Sequence, residues 1–445
     1  MADPSHDDEE MRQKKKKRKR NRCYQCGASD HRAKDCPSAT CQHCGRPGHS
    51  VGGCPDKPPA PVDRGQFQSN SNKKGNVASL FTYIELFAGM GGFRVALDRL
   101  GGRCVFASEL DRFCIANYQV NFGGDRPAGD ITRIQSDWIP SHDLLVGGFP
   151  CQPFSCSGKQ RGLQDPRGQL FREIVRILQD KQPKAFLLEN VRGLYLHNQG
   201  KTYQLLQKEL EACGYVVKSQ LLDAVNLLPQ ERCRLFIAGI RKDLLADHNK
   251  QGYQFPKLPD LCRGVEDILH GNKTPEDELS KEELESLTLT PNQLAKVQAQ
   301  KYTQEHPEAR FLMDTTKPAK TLQSSYTKYM VGSQFVPVQD NDNTPAWRRF
   351  SSREAARLQG FPEAFQLCQQ RPYHMLGNAV APPLIAMIVA PLLHCIGALP
   401  STTTTSGWDI TRDMLLAASP NDPRREKLRQ QLTEVDLGKS ETTTT

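Results

Sequence analysis

The chain has 445 residues, with 59 Lys+Arg against 50 Asp+Glu and a formal charge of +9, so two or three structural units and a polyanionic partner are expected. The first residues are charged and carry no apolar h-region, so a secretory leader is not expected. Without one, the 15 cysteines do not read as a disulfide framework, and a reducing compartment is expected.

Residues 1–22 hold five acids and nine Lys/Arg, eight of the latter inside KKKKRKRNR. Such a block predicts a disordered tail that acts as a nuclear-localisation signal or a nucleic-acid-binding arm. The expected localisation is therefore the nucleus; a solvated tail with neither role is the alternative. Residues 23–54 carry two copies of C-x2-C-x4-H-x4-C, formed by Cys23, Cys26, His31 and Cys36, then by Cys41, Cys44, His49 and Cys54. Three thiolates and one imidazole suit tetrahedral Zn²⁺. A repeat of fourteen residues cannot build an apolar core, so two structural zinc ions would supply the folding energy. The repeats resemble the retroviral-type CCHC zinc knuckle, a family that mostly binds single-stranded nucleic acid by stacking unpaired bases. Tyr24 is the candidate stacker, and His43 stands near the matching place in the second repeat. Protein binding is the alternative. Residues 55–78 are polar and rich in Pro and Gly, and read as a flexible linker.

An α/β pattern begins at residue 79. LFTYIELF (Leu80 to Phe87) reads as a buried strand. The glycine turn AGMGGF follows, then an amphipathic helix closed by Gly101-Gly102, then the strand CVFASEL with Glu109 at its end. Glu109 stands twenty positions after Gly89, the separation of an acid that reaches a ribose hydroxyl in nucleotide-binding βαβ units. DLLVGGF (Asp143 to Phe149) is a strand leading into Pro150-Cys151, and PKAFLLEN (Pro183 to Asn190) is a strand ending at Glu189. VVKSQLLDA and RLFIAGI are later strands, with helices over Leu170 to Leu178 and Thr202 to Cys213. The alternation predicts a largely parallel, doubly wound Rossmann-like sheet. Ligands of such sheets bind outside the carboxyl ends of the strands. Glu109, Cys151 and Glu189 should thus face one crevice, with Cys151 either a buried apolar thiol or a nucleophile.

IELFAGMGGF, GGFPCQPFSCSGKQRG, LENV, QERCR and GNAV occur in this order, and over residues 83–395 the chain resembles the cytosine-C5 DNA methyltransferases. The resemblance implies S-adenosylmethionine as methyl donor, DNA as partner and a flipped cytosine as acceptor. It implies Cys151 as the nucleophile adding at C6 and Glu189 as the proton donor at N3. Arg234 would contact the cytosine O2, and Arg232, its neighbour in the motif, is placed with it among the catalytic residues. For the cofactor it implies Phe87, Gly89, Met90 and Gly92 in the first turn and Glu109 at the ribose. Leu110, where Trp is common, would lie beneath the adenine edge, beside Asp130 and Ile131 of GDIT. Pro150, Leu170, Asn378 and Ala379 complete the cofactor set, with Ala379 standing where the family often has Ser. Residues 155–168 resemble the family's mobile loop over the flipped base, with Lys159, Arg161 and Arg167 for phosphates.

The resemblance implies a smaller target-recognition domain over the polar, irregular residues 243–345. Residues 79–242 form the catalytic, cofactor-binding part, and residues 346–398 end the recognition region and return to it. The apolar run Ala379 to Leu399 matches a membrane span in length, but its prolines fit a buried helix better, so no membrane partner is expected. Residues 399–445 read as a disordered tail. Two other readings stay open. One is an RNA-directed enzyme of the same family, although the Cys-Phe-Thr tripeptide of the tRNA branch is absent. The other is a catalytically silent zinc-knuckle nucleic-acid-binding protein.

Overall fold

The computed structural model describes residues 79–150, 170–245, 252–270, 278–312, 314–329, 331–338, 346–399 and 407–417. Both cysteine repeats, the basic tail, the linker, Cys151 and the loop over 155–168 lie outside the described residues.

Strand β1 (Phe81–Leu86) is aromatic and β-branched and almost wholly buried. Helix α1 (Gly92–Arg99) turns its Phe93, Ala96 and Leu97 inward. Strand β2 (Gly102–Ser108) follows, and then α2 (Arg112–Asn121), whose N-cap Asp111 accepts from the Phe113 amide at 2.8 Å. Next come β3 (Leu144–Gly148), α3 (Leu170–Lys181), β4 (Ala185–Val191), the short α4 (Arg192–Leu196), α5 (Lys201–Ala212), β5 (Tyr215–Asp223) and β6 (Cys233–Arg241).

The six strands form one sheet in the order β2-β1-β3-β4-β6-β5. The β1–β2, β1–β3 and β3–β4 pairs are parallel, whereas β6 runs antiparallel to both β4 and β5. The expected parallel sheet therefore holds, with β6 as its one reversed strand. The reversal has a chain-length cause. Only nine residues separate Asp223 from Cys233, and a parallel crossover needs a dozen or more.

Side-chain alternation divides the core between the faces. Tyr83, Val146, Leu187, Phe236 and Ile240 share one cluster with residues of α1 and with α11 (Pro382–Cys395). Ile84, Leu86, Leu145, Phe186, Leu188 and Ile237 share another with Phe171, Ile174 and Ile177 of α3 and Leu206 and Leu210 of α5. Helices thus cover both faces, as in doubly wound folds. The apolar run at 379–399 supplies α11, which is buried from Pro382 through Ala390.

Beyond β6, helices α6 (Lys281–Leu287), α7 (Pro291–Gln298) and α8 (Lys301–Glu305) and the hairpin β7 (Val336–Val338) with β8 (Ala346–Arg348) occupy the region expected to be irregular. Leu289, Val297, Phe311, Phe335 and Trp347 give it a small core of its own. Helices α9 (Ser352–Leu358) and α10 (Pro372–Asn378) lead back to α11. The expected disordered tail contains a further helix, α12 (Gly407–Ala417), which buries Trp408, Ile410, Met414 and Leu415. Those residues fall at a helical spacing that supplies one apolar stripe.

Candidate active site

The glycine turn after β1 is sharply wound: Phe87, Gly89 and Gly91 all have positive φ, at 55°, 56° and 89°. At Gly91 this freedom serves packing, since a Cβ there would collide with the Phe122 ring. Gly89 differs, because a Cβ built on it meets no atom within 4 Å. The turn therefore presents bare backbone to open space at the carboxyl edge of the sheet.

Glu109 closes this opening. Its Oε2 accepts from the Gly89 amide at 2.7 Å, and its Oε1 accepts from the amides of Leu110 at 2.8 Å and Asp111 at 2.7 Å. A carboxylate offers about four acceptor sites, so one on Oε2 remains for a ligand hydroxyl. Leu110 is 73% exposed beside it, an apolar surface without a partner in the fold. The 128–131 segment lies along the same edge: the Glu109 amide donates to the Ala128 carbonyl at 2.9 Å. Asp130 then caps a 3₁₀ turn by accepting from the Thr132 amide at 3.0 Å, and Ile131 is buried. Bare glycine backbone, a carboxylate with capacity to spare and an exposed apolar side chain fit a ligand that carries hydroxyls and a flat apolar group. Met90 and Gly92 belong to the packed side of the turn. Met90 is buried, and Gly92 packs so closely that a Cβ would lie 2.8 Å from Val380 Cγ2.

Three strands farther along the sheet order lies a second group. Glu189 pairs in register with Gly148 of β3, whose Cβ position would lie 3.4 Å from Glu189 Oε2. Strand β3 therefore releases the chain toward Phe149 and Pro150 beside this carboxylate. Asn190 steadies that exit: its buried side chain donates to the Phe149 carbonyl at 3.0 Å. Sequence reading passed over Asn190, although it stands in the quoted LENV motif. Because β6 is reversed, its beginning meets the end of β4, with Arg234 opposite Val191 and Phe236 opposite Glu189. Arg234 and Glu189 thus share a face as diagonal neighbours, and Arg234 Nε lies 3.2 Å from Glu189 Oε1. Burial raises the Glu189 carboxyl above its ordinary range, while Arg234 and Arg232 pull it down. The result is a dry carboxyl inclined to hold a proton beside a fixed cation.

Arg232 sits differently from Arg234. It is buried, and its Nη2 donates to the carbonyls of Gly377 at 3.1 Å and Ala379 at 2.7 Å. Asn378, between them, is exposed at the end of α10, and Ala379 is buried. Leu170 is half-buried at the start of α3, and Pro150 is half-buried at the end of β3. Phe87 is half-buried and packs against the same core as α3.

The C-5 cytosine-specific DNA methylase model matches residues 81–394, and the zinc knuckle model matches residues 21–38, which hold the first cysteine repeat. The chain is 39% identical over 325 residues to the type II methyltransferase M.DsaV of Dactylococcopsis salina, covering 71% of this chain and 86% of that protein. It is 33% identical over 308 residues to the type II methyltransferase M.HhaI of Haemophilus parahaemolyticus, covering 67% of this chain and 90% of that protein. Among solved structures, the S. pombe Dnmt2 methyltransferase superposes with a TM-score of 0.53 at 20% identity, over 71% of this chain and 98% of that one. The last of these speaks to the fold alone. With the family model spanning the sheet, both groups at its carboxyl edge and α11, the chain belongs to the C-5 cytosine-specific DNA methylase family.

Proposed function

We propose that this protein methylates C5 of cytosine in DNA, using S-adenosylmethionine and a covalent adduct to Cys151. The observation that carries the proposal is the Glu189–Arg234 pair at the end of β3, after which come Phe149, Pro150 and, next in sequence, Cys151. Cytosine C5 is a poor nucleophile. A thiolate adding at C6 turns C5 into an enamine-like carbon, and that addition needs a proton at N3. Cys151 Sγ forms the bond to C6, and Glu189, whose hold on a proton is strengthened by burial, gives its proton to N3. Arg234, held against Glu189, orients the ring through O2. S-adenosylmethionine, when bound, supplies the methyl group that C5 takes. Removal of the C5 proton by a base returns the electron pair that expels Cys151, and N3 returns its proton to Glu189.

Glu109 would hold the donor's ribose, and Phe87, Gly89, Leu110, Asp130 and Ile131 would border its adenosine. Leu170, Asn378, Ala379 and Pro150 would border the methionine end. Met90 and Gly92 would act by shaping the turn. A cytosine stacked in a duplex cannot reach Cys151, so the base must flip out. The donor sets of residues 23–36 and 41–54 suit one structural Zn²⁺ each, and the knuckles would add affinity for single-stranded nucleic acid. The basic block at residues 14–22 would address the protein to the nucleus, which a reporter fused to residues 1–22 and retained in the cytosol would refute.

The test is transfer of labelled methyl from S-adenosylmethionine to matched DNA and RNA, with Cys151→Ala alongside. Transfer to DNA that the substitution abolishes supports the proposal. Transfer to RNA alone would replace the substrate, and no transfer would leave a binding protein.

A further inference from the structure

Segment 376–380 is the point where three parts of the molecule meet. From the recognition side, a Cβ on Gly377 would collide with the backbone of Gln323 and Ser324, so these chains run in direct contact. From the cofactor turn, Gly92 lies against Val380. From within, Gln359 Nε2 donates to the Leu376 carbonyl at 2.8 Å, and Arg232 takes the carbonyls of Gly377 and Ala379. Arg232 is itself fixed by its main chain: its amide donates to Asp223 Oδ1 at 2.7 Å, and its carbonyl accepts from the Ala224 amide at 3.2 Å. The neighbouring Gln230 accepts from the Leu322 amide at 2.8 Å and donates to the Leu358 carbonyl at 3.0 Å. The two carbonyls that Arg232 holds flank Asn378, whose side chain is left exposed.

We propose that Arg232 is a positioning residue for the donor end of the site, acting through the Gly377 and Ala379 carbonyls to present Asn378, and does not contact the base. This rests on the reading of that edge as the S-adenosylmethionine site. A guanidinium donating one nitrogen to two main-chain carbonyls fixes the backbone on both sides of Asn378. Lysine keeps the charge and loses the planar fork. Arg234, two residues on, faces Glu189, so the two arginines of one motif divide the work between donor and base.

The test compares Arg232→Lys, Arg232→Ala and Arg234→Lys in the full chain. Binding of the unreactive product S-adenosylhomocysteine is read by calorimetry, the donor KM and kcat are read in methyl transfer to DNA, and unliganded thermal melting controls for folding. Arg232→Lys is expected to bind S-adenosylhomocysteine about tenfold more weakly and to raise the donor KM similarly, as for loss of a hydrogen bond from a charged group. Its kcat at saturating donor should stay within about twofold of wild type, because lysine keeps the positive charge that acts on Glu189 and Arg234 is unchanged. Arg234→Lys should show the reverse, with kcat lost and donor affinity kept. Arg232→Lys with wild-type affinity for S-adenosylhomocysteine, or with lowered kcat at unchanged donor KM, would overturn the assignment. If Arg232→Ala fails to fold, the lysine variant decides alone. If the wild type binds no S-adenosylhomocysteine, the donor-site reading falls and this assignment falls with it.

Discussion

Glu189 and Glu85 are both buried carboxyls, yet they answer to different surroundings. Glu189 faces Arg234 at the sheet edge, and its raised affinity for protons suits an acid that must donate to a base. As pH rises through its raised titration point the donor form is lost, so kcat should fall on the alkaline side. Glu189→Gln should lose that limb and about 10²–10⁴-fold of the rate, read in a pH–rate profile. Glu85 lies inside the sheet, wholly buried in β1, and accepts from the Tyr118 hydroxyl at 3.2 Å. Burial pushes its carboxyl up to about 8, against the pull of Arg94 and Tyr118. A carboxyl whose folded value is raised stabilises the fold relative to its ionised form at low pH, and that contribution is lost as pH climbs toward 8. The slope in that window is about 1.4 kcal/mol per pH unit for one group. Glu85→Gln should flatten the fall in stability between pH 5 and 8, measured by denaturant melts of both proteins. That Glu189 and Arg234 lie together was legible because both stand in motifs that carry chemistry. The place of Arg232 was not, because its partners are main-chain carbonyls 145 and 147 residues away.

At the scale of elements, the sheet was readable from its apolar runs, and so was the edge on which Glu109 and Glu189 emerge. The reversal of β6 was readable too, in the short connection before it, but only by asking how far nine residues reach. The region beyond β6 looked irregular because its helices are short and polar. Their starts are nonetheless written in the chain as capping boxes: Ser280 with Glu283, and Thr290 with Gln293. Helix α12 was missed for a different reason, since it borders a low-complexity stretch of threonines. It packs on α11: Thr411 donates to the Pro383 carbonyl at 3.0 Å, and a Cβ on Gly407 would lie 2.7 Å from Ala390 Cβ. Gly407→Val should therefore push α12 away and cost about 1–3 kcal/mol, read as a lowered melting temperature.

For the whole molecule, the roles proposed for the charge excess and the two cysteine repeats concern binding more than chemistry. Deleting residues 1–54 should weaken binding to single-stranded nucleic acid and flatten its salt dependence, while DNA methylation at low salt persists. A strong chelator should act on the full chain as that deletion does, and should leave the truncated protein unchanged. Filter binding across a salt series compares the four samples.

The reversed strand also limits how the chain can change its length. Leu235 and Ile237 anchor β6 in one core cluster, while Arg234 looks out on the opposite face toward Glu189. One residue inserted between Arg234 and Leu235 would turn the guanidinium to the wrong side of the sheet. Two inserted residues would restore the side but move it roughly 6–7 Å along the strand. Neither parity rescues the pair. Length variation in this family should therefore stop at the Arg234–Leu235 junction, and a single glycine inserted there should leave a folded protein that transfers no methyl group.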